Sequence, residues 1–128
     1  MAYVEISRRT PLKPEEAFAR ITDWEAHRVP LTRIRLTPEG FVARTGAGPI
    51  GFDDPMTIVR LERPHFVKIE KTGSIVRGWA EIEVRAEGDG AIVHWREEVR
   101  FPLVPTFIAR VLGYWMLNHI LNGLLAGS

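Results

Sequence analysis

Apolar and polar residues alternate at the start of the chain. Val4 and Ile6 are set against Glu5 and Ser7, which predicts a strand over Tyr3 to Arg9 that Pro11 ends. The period then turns helical. Pro14 suits a first helical position, Glu15 and Glu16 complement the helix dipole, and Ala17, Phe18 and Ile21 form an apolar stripe. Asp23 is expected to cap a second, very short helix through Trp24 to His27, stopped by Pro30. Alternation returns after that and predicts strands over Thr32–Thr37, Phe41–Thr45, Met56–Glu62, Phe66–Lys71, Val76–Ala86 and Ala91–Phe101. Pro38-Glu39-Gly40, Pro64, Thr72-Gly73-Ser74 and Glu87-Gly88-Asp89-Gly90 supply turns. The glycine-rich stretch Gly46 to Gly51 leads into a strand, so it lacks the helix N-terminus of a phosphate cradle. A long apolar helix follows Pro105. This order predicts an α+β domain, a curved antiparallel sheet of about seven strands with two short helices and a long C-terminal helix on one face.

Composition narrows the class. The 128 residues fit one domain, taken as 1–128, and 45% hydrophobic with 26% charged residues is globular. Seventeen Lys and Arg against 16 Asp and Glu leave a net charge of +1, which argues against a nucleic-acid partner. Without cysteine there is no disulfide or thiolate metal site, and no secretory signal is seen, so a cytoplasmic protein is expected. The stretch from Pro105 to Ala126 is long enough to span a bilayer. Arg110, Asn118, His119 and Asn122 make that expensive, and no stable membrane insertion is expected. His94 reads as a surface residue, His65 as part of a turn and His27 as the end of a short helix. No histidine pair has metal-ligand spacing and no Ser-His-Asp pattern occurs, so neither metal nor cofactor is expected.

Several segments carry a family likeness. Val4-Glu5-Ile6-Ser7-Arg8-Arg9 leading into Lys13-Pro14-Glu15-Glu16-Ala17-Phe18, then Thr22-Asp23-Trp24, Arg63-Pro64-His65-Phe66-Val67 and Val93-His94-Trp95, follow one another in this order. Together they resemble the helix-grip fold of the START-like, birch-pollen-allergen-like superfamily (SRPBCC), in its polyketide cyclase/dehydrase-like branch. The resemblance covers nearly the whole chain and rests on structural punctuation, with no catalytic motif. It implies a cavity between a curved sheet and the C-terminal helix that holds a hydrophobic molecule, in members that include carriers, sensors, cyclases and aromatases. This chain is short between Trp24 and Thr32 and its last helix is poor in charge, both near the usual mouth of that cavity.

Turn positions set the register. A loop at Gly88-Asp89 pairs Glu83 with His94 and Glu81 with Arg96, where a slip would oppose Glu81 to Glu98. The other face then pairs Val84 with Val93, Ile82 with Trp95, Ala80 with Glu97 and Gly78 with Val99. A loop at Gly73-Ser74 brings Glu70 to Arg77 and Lys68 to Trp79 outside, and turns Val67 and Ile69 inward. Strand four has two solutions. A loop at Arg63-Pro64 turns Met56, Ile58 and Arg60 inward; a three-residue loop turns Val59 and Leu61 inward. Gly78 and Ala80 leave volume beside Glu97. A dry void of about 300 Å³ would cost roughly 7 kcal/mol, comparable with a domain's whole stability, so such a space holds water or a ligand.

The lining expected of this pocket is Ile58, Arg60, Val67, Ile69, Gly78, Ala80, Ile82, Trp95, Glu97 and Val99 from the sheet, with Trp115, Met116 and His119 from the helix. Glu97 reads either as a structural or solvated acid or as a ligand-facing carboxylate whose pKa desolvation raises. On the helix, Ala109, Gly113, Met116, Leu117, Ile120 and Leu124 share one arc. Asn118, His119, Asn122, Val111, Trp115, Ile108 and Leu112 share the other. Either the first arc lies on the sheet and leaves a Val111–Trp115 patch exposed, or the Asn–His cluster faces the cavity. The main functional expectation is a carrier or sensor for a small hydrophobic molecule such as a lipid, polyketide or aromatic compound. A cyclase or dehydratase-like enzyme using Glu97 with Arg60 or His119 is the alternative. A protein-interaction module built on Trp79 or the Trp115 patch, with a homodimer as its product, is the second alternative.

Overall fold

The computed structural model describes residues 2–27, 32–46, 51–73, 75–100 and 105–125. Among these, seven strands form one antiparallel sheet. They are β1 (Ala2–Thr10), β2 (Thr32–Thr37), β3 (Gly40–Thr45), β4 (Phe52–Glu62), β5 (Phe66–Thr72), β6 (Arg77–Glu87) and β7 (Gly90–Arg100). The spatial order is β1-β7-β6-β5-β4-β3-β2, so the first strand closes one edge beside the last. Between β1 and β2 lie helix α1 (Pro14–Ile21) and a 3-10 turn (Trp24–Ala26), and the chain's long helix α2 spans Thr106–Leu125. The expected α+β helix-grip arrangement is therefore the observed one. The Gly46–Gly51 connection, Pro30, Ser74 and Pro102 fall wholly or partly outside the described residues.

Helix α1 starts as expected on Pro14, with Glu16 bridging to Arg20 at 3.0 Å one turn on. Ala17, Phe18 and Ile21 are its buried stripe. Arg20 also reaches across to donate to the Leu124 carbonyl at 3.3 Å, filling an acceptor that the end of α2 leaves open. Asp23 does not cap the short turn with its side chain. The backbone closes it instead, through Ala26 N–H to the Asp23 carbonyl and His27 N–H to the Trp24 carbonyl.

The β6–β7 ladder has the expected register throughout, with Ala80 opposite Glu97 and Ile82 opposite Trp95. Gly88 supports its tight turn at φ 57°. The β5–β6 register differs by two residues: Glu70 faces Trp79, and Thr72 faces Arg77. The connection there is longer because Val76 leaves the ladder to bury itself with Ala2, Val99 and Ala109. A shift of two preserves the face, so Val67 and Ile69 still point inward and Lys68 still lies over Trp79, 5.7 Å from its ring. In β4 both solutions hold in part. A bulge between Ile58 and Arg60 sets Met56 and Ile58 on the same face as Leu61, opposite Lys71, Ile69 and Val67. Arg60 is thereby turned to the outer face.

Helix α2 buries Ala109, Gly113, Leu117, Ile120, Leu121, Leu124 and Leu125. It lies along β1, and a Cβ on Gly113 would sit 3.0 Å from Val4 Cγ2, so glycine permits the close approach there. The opposite arc faces away from the sheet: Val111 is 66% exposed and Trp115 59%. Asn118 and Asn122 accept hydrogen bonds from Arg8 of β1 and hold one flank to the sheet edge. The first of the two expected helix orientations is thus the one formed.

Candidate ligand site

The inner face of the sheet reads as three rows running across the strands. The first joins Leu61, Val67, Ile82, Trp95 and Ile6; the second joins Ile58, Ile69, Ala80, Glu97 and Val4. The third joins Met56, Lys71, Gly78, Val99 and Ala2, and Asp54 lies beyond it on β4. Most of this wall is apolar and buried. Leu61 is exposed, and Ile6 on the edge strand is partly so. Met56, Ile58, Lys71, Gly78 and Glu97 also remain partly exposed. They mark a strip of inner face that α2, running along β1, leaves accessible.

A polar cluster sits on this wall. Lys71 Nζ lies 3.0 Å from Asp54 Oδ2, with the two side chains 10% and 12% exposed. The same ammonium touches Met56 Sδ at 3.7 Å. Burial pushes the Glu97 carboxyl up, while the charge of Lys71 pulls it down and that of Asp54 raises it. Among the described residues, Asp54 Oδ1 and Trp95 Nε1 are buried without a hydrogen-bond partner. The Trp95 indole leans on the Glu97 carboxylate without reaching bonding geometry, and still lowers its pKa. A wall with few, convergent polar groups in an apolar surround is the usual make-up of a small-molecule site.

Gly78 belongs to this cluster for a reason that spacing alone does not show. Its φ is +146°, and a Cβ there would collide with the Glu98 backbone carbonyl. Conformation demands glycine at this position, and an open patch beside Lys71 is the by-product.

The opposite end of the wall is aromatic. Trp24 stacks on Phe41 at 4.7 Å, and His27 lies 5.4 Å from Trp24 and 6.4 Å from Trp95. His27 Nε2 is 2.7 Å from the Ile21 carbonyl. Burial lowers the His27 pKa, and the carbonyl only partly counters this. A cleft of about 540 Å³ opens beside the β2–β3 turn between Trp24, Leu36, Ile58 and Arg63, and the Asp54, Lys71 and Glu97 side chains do not line it. A second, of about 410 Å³, lies between Ala26 and the His119–Leu124 turn of α2.

The sheet residues expected to line the pocket share the inner face, with one exception. Arg60 lies on the outer face, where it pairs with Glu62 and packs over the Phe66 ring at 5.0 Å. The bulge moves it there, so it cannot meet Glu97. The cation near Glu97 is Lys71, with Asp54 behind it. Alternation through Val67 and Ile69 already pointed to Lys71; Asp54 precedes the expected start of β4 and carried no such signal. On α2, Met116 packs against the core, whereas His119 is exposed and stacks on Trp115 at 5.6 Å. Trp115 and His119 thus lie away from the wall that bears Glu97. Among the described residues no group of three or more His, Asp or Glu could hold a metal ion. No helix among them is long and apolar enough to cross a membrane.

An antiparallel sheet with two helical turns in its first connection and a long C-terminal helix against one face is the START-like helix-grip fold, and this chain has it. Solved structures share it over almost the whole chain. One is a START superfamily protein from Mycobacterium smegmatis, 13% identical over 97% of this chain and 94% of that one, with a TM-score of 0.78. Another is the protein XoxI from Bacillus cereus, 18% identical over 98% and 94%, with a TM-score of 0.76. The Aha1 dimer from Colwellia psychrerythraea is 12% identical over 100% and 99%, with a TM-score of 0.68. No family model and no curated protein matches the chain. Likeness at these identities is a likeness of fold.

Proposed function

We propose that the protein binds a small, largely apolar molecule between the inner face of the sheet and α2, as a cytoplasmic carrier or sensor. A START-like fold supports ligand binding in general, which is an argument by analogy. The observation that carries the reading is the Asp54–Lys71–Glu97 cluster on an otherwise apolar wall, beside Gly78 and Ala80. Polar groups left in such surroundings cost stability unless partnered, and a ligand's polar group is one such partner. A lipid, a polyketide or another aromatic compound would suit the wall. The enzymatic alternative needs a second group converging on Glu97, and neither Arg60 nor His119 supplies it.

The test uses the neutral fluorescent probe N-phenyl-1-naphthylamine. Saturable enhancement is expected with the native protein, and Ala80→Leu, which fills the middle row, should abolish it while the far-UV circular dichroism stays unchanged. A linear, non-saturating response, or one that Ala80→Leu leaves intact, would remove the reading.

A second reading has its own observation. Phe107, Val111, Leu112, Tyr114 and Trp115 of α2 are 48–71% exposed and make an apolar surface. A protein similar in fold forms a dimer. Sedimentation of the native protein at rising concentration, against Val111→Glu, distinguishes an interface on this helix from a bare surface.

A further inference from the structure

This inference rests on the ligand-binding reading and concerns what the ligand's polar end must be. Among the described sheet residues, the inner face carries four charged side chains: Arg8, Asp54, Lys71 and Glu97. Arg8 is held at the sheet edge by Asn118 and Asn122. Lys71 is bound to Asp54 at 3.0 Å. That leaves Glu97 facing the strip between β4 and α2 with the one nearby cation already committed. Asp54 adds to the imbalance. The residue is 8% exposed, and its Oδ1 is buried with no hydrogen-bond partner among the described residues. The accessible wall therefore holds two carboxyl groups against one ammonium; the Trp95 N–H beside Glu97 is a neutral donor and does not offset that charge.

We infer that the ligand presents a cationic nitrogen to Glu97, and that the site takes an amine with an apolar or aromatic body rather than a carboxylic acid. An ammonium brings up to three donors, and above all a positive charge, to a wall with one acid more than it has cations. The body of the molecule would lie against Met56 and Ile58, the partly exposed apolar residues beside Glu97, since the rings of Trp24, Phe41 and Trp95 are already buried in the core. A ligand carboxylate at the same place would stand against Glu97 and Asp54, with Lys71 already bonded. Its binding would leave like charges close together in a poorly solvated site.

Three probes with one ring and three charges test this by calorimetry at neutral pH: 1-naphthylmethylamine, 1-naphthalenemethanol and 1-naphthoate. The amine is expected to bind about tenfold or more tightly than the alcohol, the size of a charge-assisted hydrogen bond, and the naphthoate weakest. Glu97→Gln should remove the amine's advantage and bring its affinity down to that of the alcohol. If the alcohol and amine bind equally, or the naphthoate binds best, the cationic ligand is ruled out while the ligand-binding reading stands. Failure of all three to bind, together with a non-saturating response to N-phenyl-1-naphthylamine, removes that reading itself.

Discussion

The two faces of this sheet use charge in opposite ways. The outer face is crowded with ion pairs: Glu81 sits between Lys68 at 3.8 Å and Arg96 at 3.4 Å, Arg85 meets Glu83 at 3.3 Å, and Arg9 meets Glu87 at 2.8 Å. These groups keep contact with water. The inner face has one short ion pair, Asp54 with Lys71, almost out of solvent, and one further acid beside it. Exposed pairs contribute little because water already solvates both partners; a buried pair contributes little net, but breaking it strands a charge. The dense side of the sheet is therefore energetically forgiving, and the sparse side is the one where a single atom matters.

The sharpest way to break that contrast is Lys71→Met. It leaves Asp54 buried and unpaired, and unfolding by urea should show a loss of about 3–5 kcal/mol. The double variant Asp54→Asn/Lys71→Met should recover most of it, since the pair is then replaced by groups that need less solvation. Equal stability of the single variant and the native chain would show that the inner pair is no different from the outer ones. Gly78→Ala comes next. A φ of +146° and the Glu98 carbonyl both exclude a Cβ, so a loss of about 1–3 kcal/mol is expected from backbone strain, with more if β7 must shift. Ala80→Gly, one position inward in the same strand, should cost about 0.5–1 kcal/mol, since the backbone entropy changes without a clash.

How much of this was legible beforehand follows the physics of each feature. The β6–β7 register came out of like-charge avoidance across one tight turn, because alternation and a two-residue loop leave a single answer. The β4 facing did not, because a bulge lets one strand obey two patterns in succession, and nothing in Ile58-Val59-Arg60 announces it. That one extra residue carried Arg60 to the wrong side and hid the true counterion. Lys71 was readable from its spacing to Val67 and Ile69. Asp54 was not, because the alternation is legible only from Met56 onward, whereas the strand begins at Phe52 and holds Pro55 within it, opposite Val42. The small residue at Gly78 is plain in the sequence, but its reason is not volume: its φ and the Glu98 carbonyl demand glycine. The two arcs of α2 follow from the helical period, but the period leaves open which one meets the sheet, and the packing of Gly113 on Val4 decides it.

Acid and base titrations sharpen the comparison further. The folded-state pKa of Glu97 is raised by burial, so the folded protein holds that proton more tightly than the unfolded chain does. Its cost is absent well below the ordinary glutamate value of about 4.3, grows as pH rises above it, and is complete above the folded pKa. Glu97→Gln should therefore stabilise the protein at neutral pH and lose that advantage at acid pH, as read from melting temperatures across the range. His27 runs the other way. Burial lowers its pKa, so stability falls as pH drops below about 6.5, where the unfolded imidazole takes up a proton that the folded one resists. His27→Gln should flatten that part of the profile, with smaller consequences than Glu97→Gln because His27 keeps a carbonyl partner at 2.7 Å.

The smallest effect belongs to the outer face. Glu81 touches two cations, which on a count of contacts would make it more important than Asp54. Its side chain is 23% exposed, and those of Lys68 and Arg96 are 35% and 36%. Water and salt screen such a trio, so Glu81→Gln should cost about 0–1 kcal/mol, and less still at high ionic strength. The same salt series on Lys71→Met should barely change its deficit, because a pair with side chains 10% and 12% exposed is poorly reached by ions. The difference between the two salt slopes, more than either stability, separates a solvated charge network from a charge the fold has enclosed. If both slopes were alike, the inner face would be as wet as the outer one, and Glu97 would have no need of a ligand's charge.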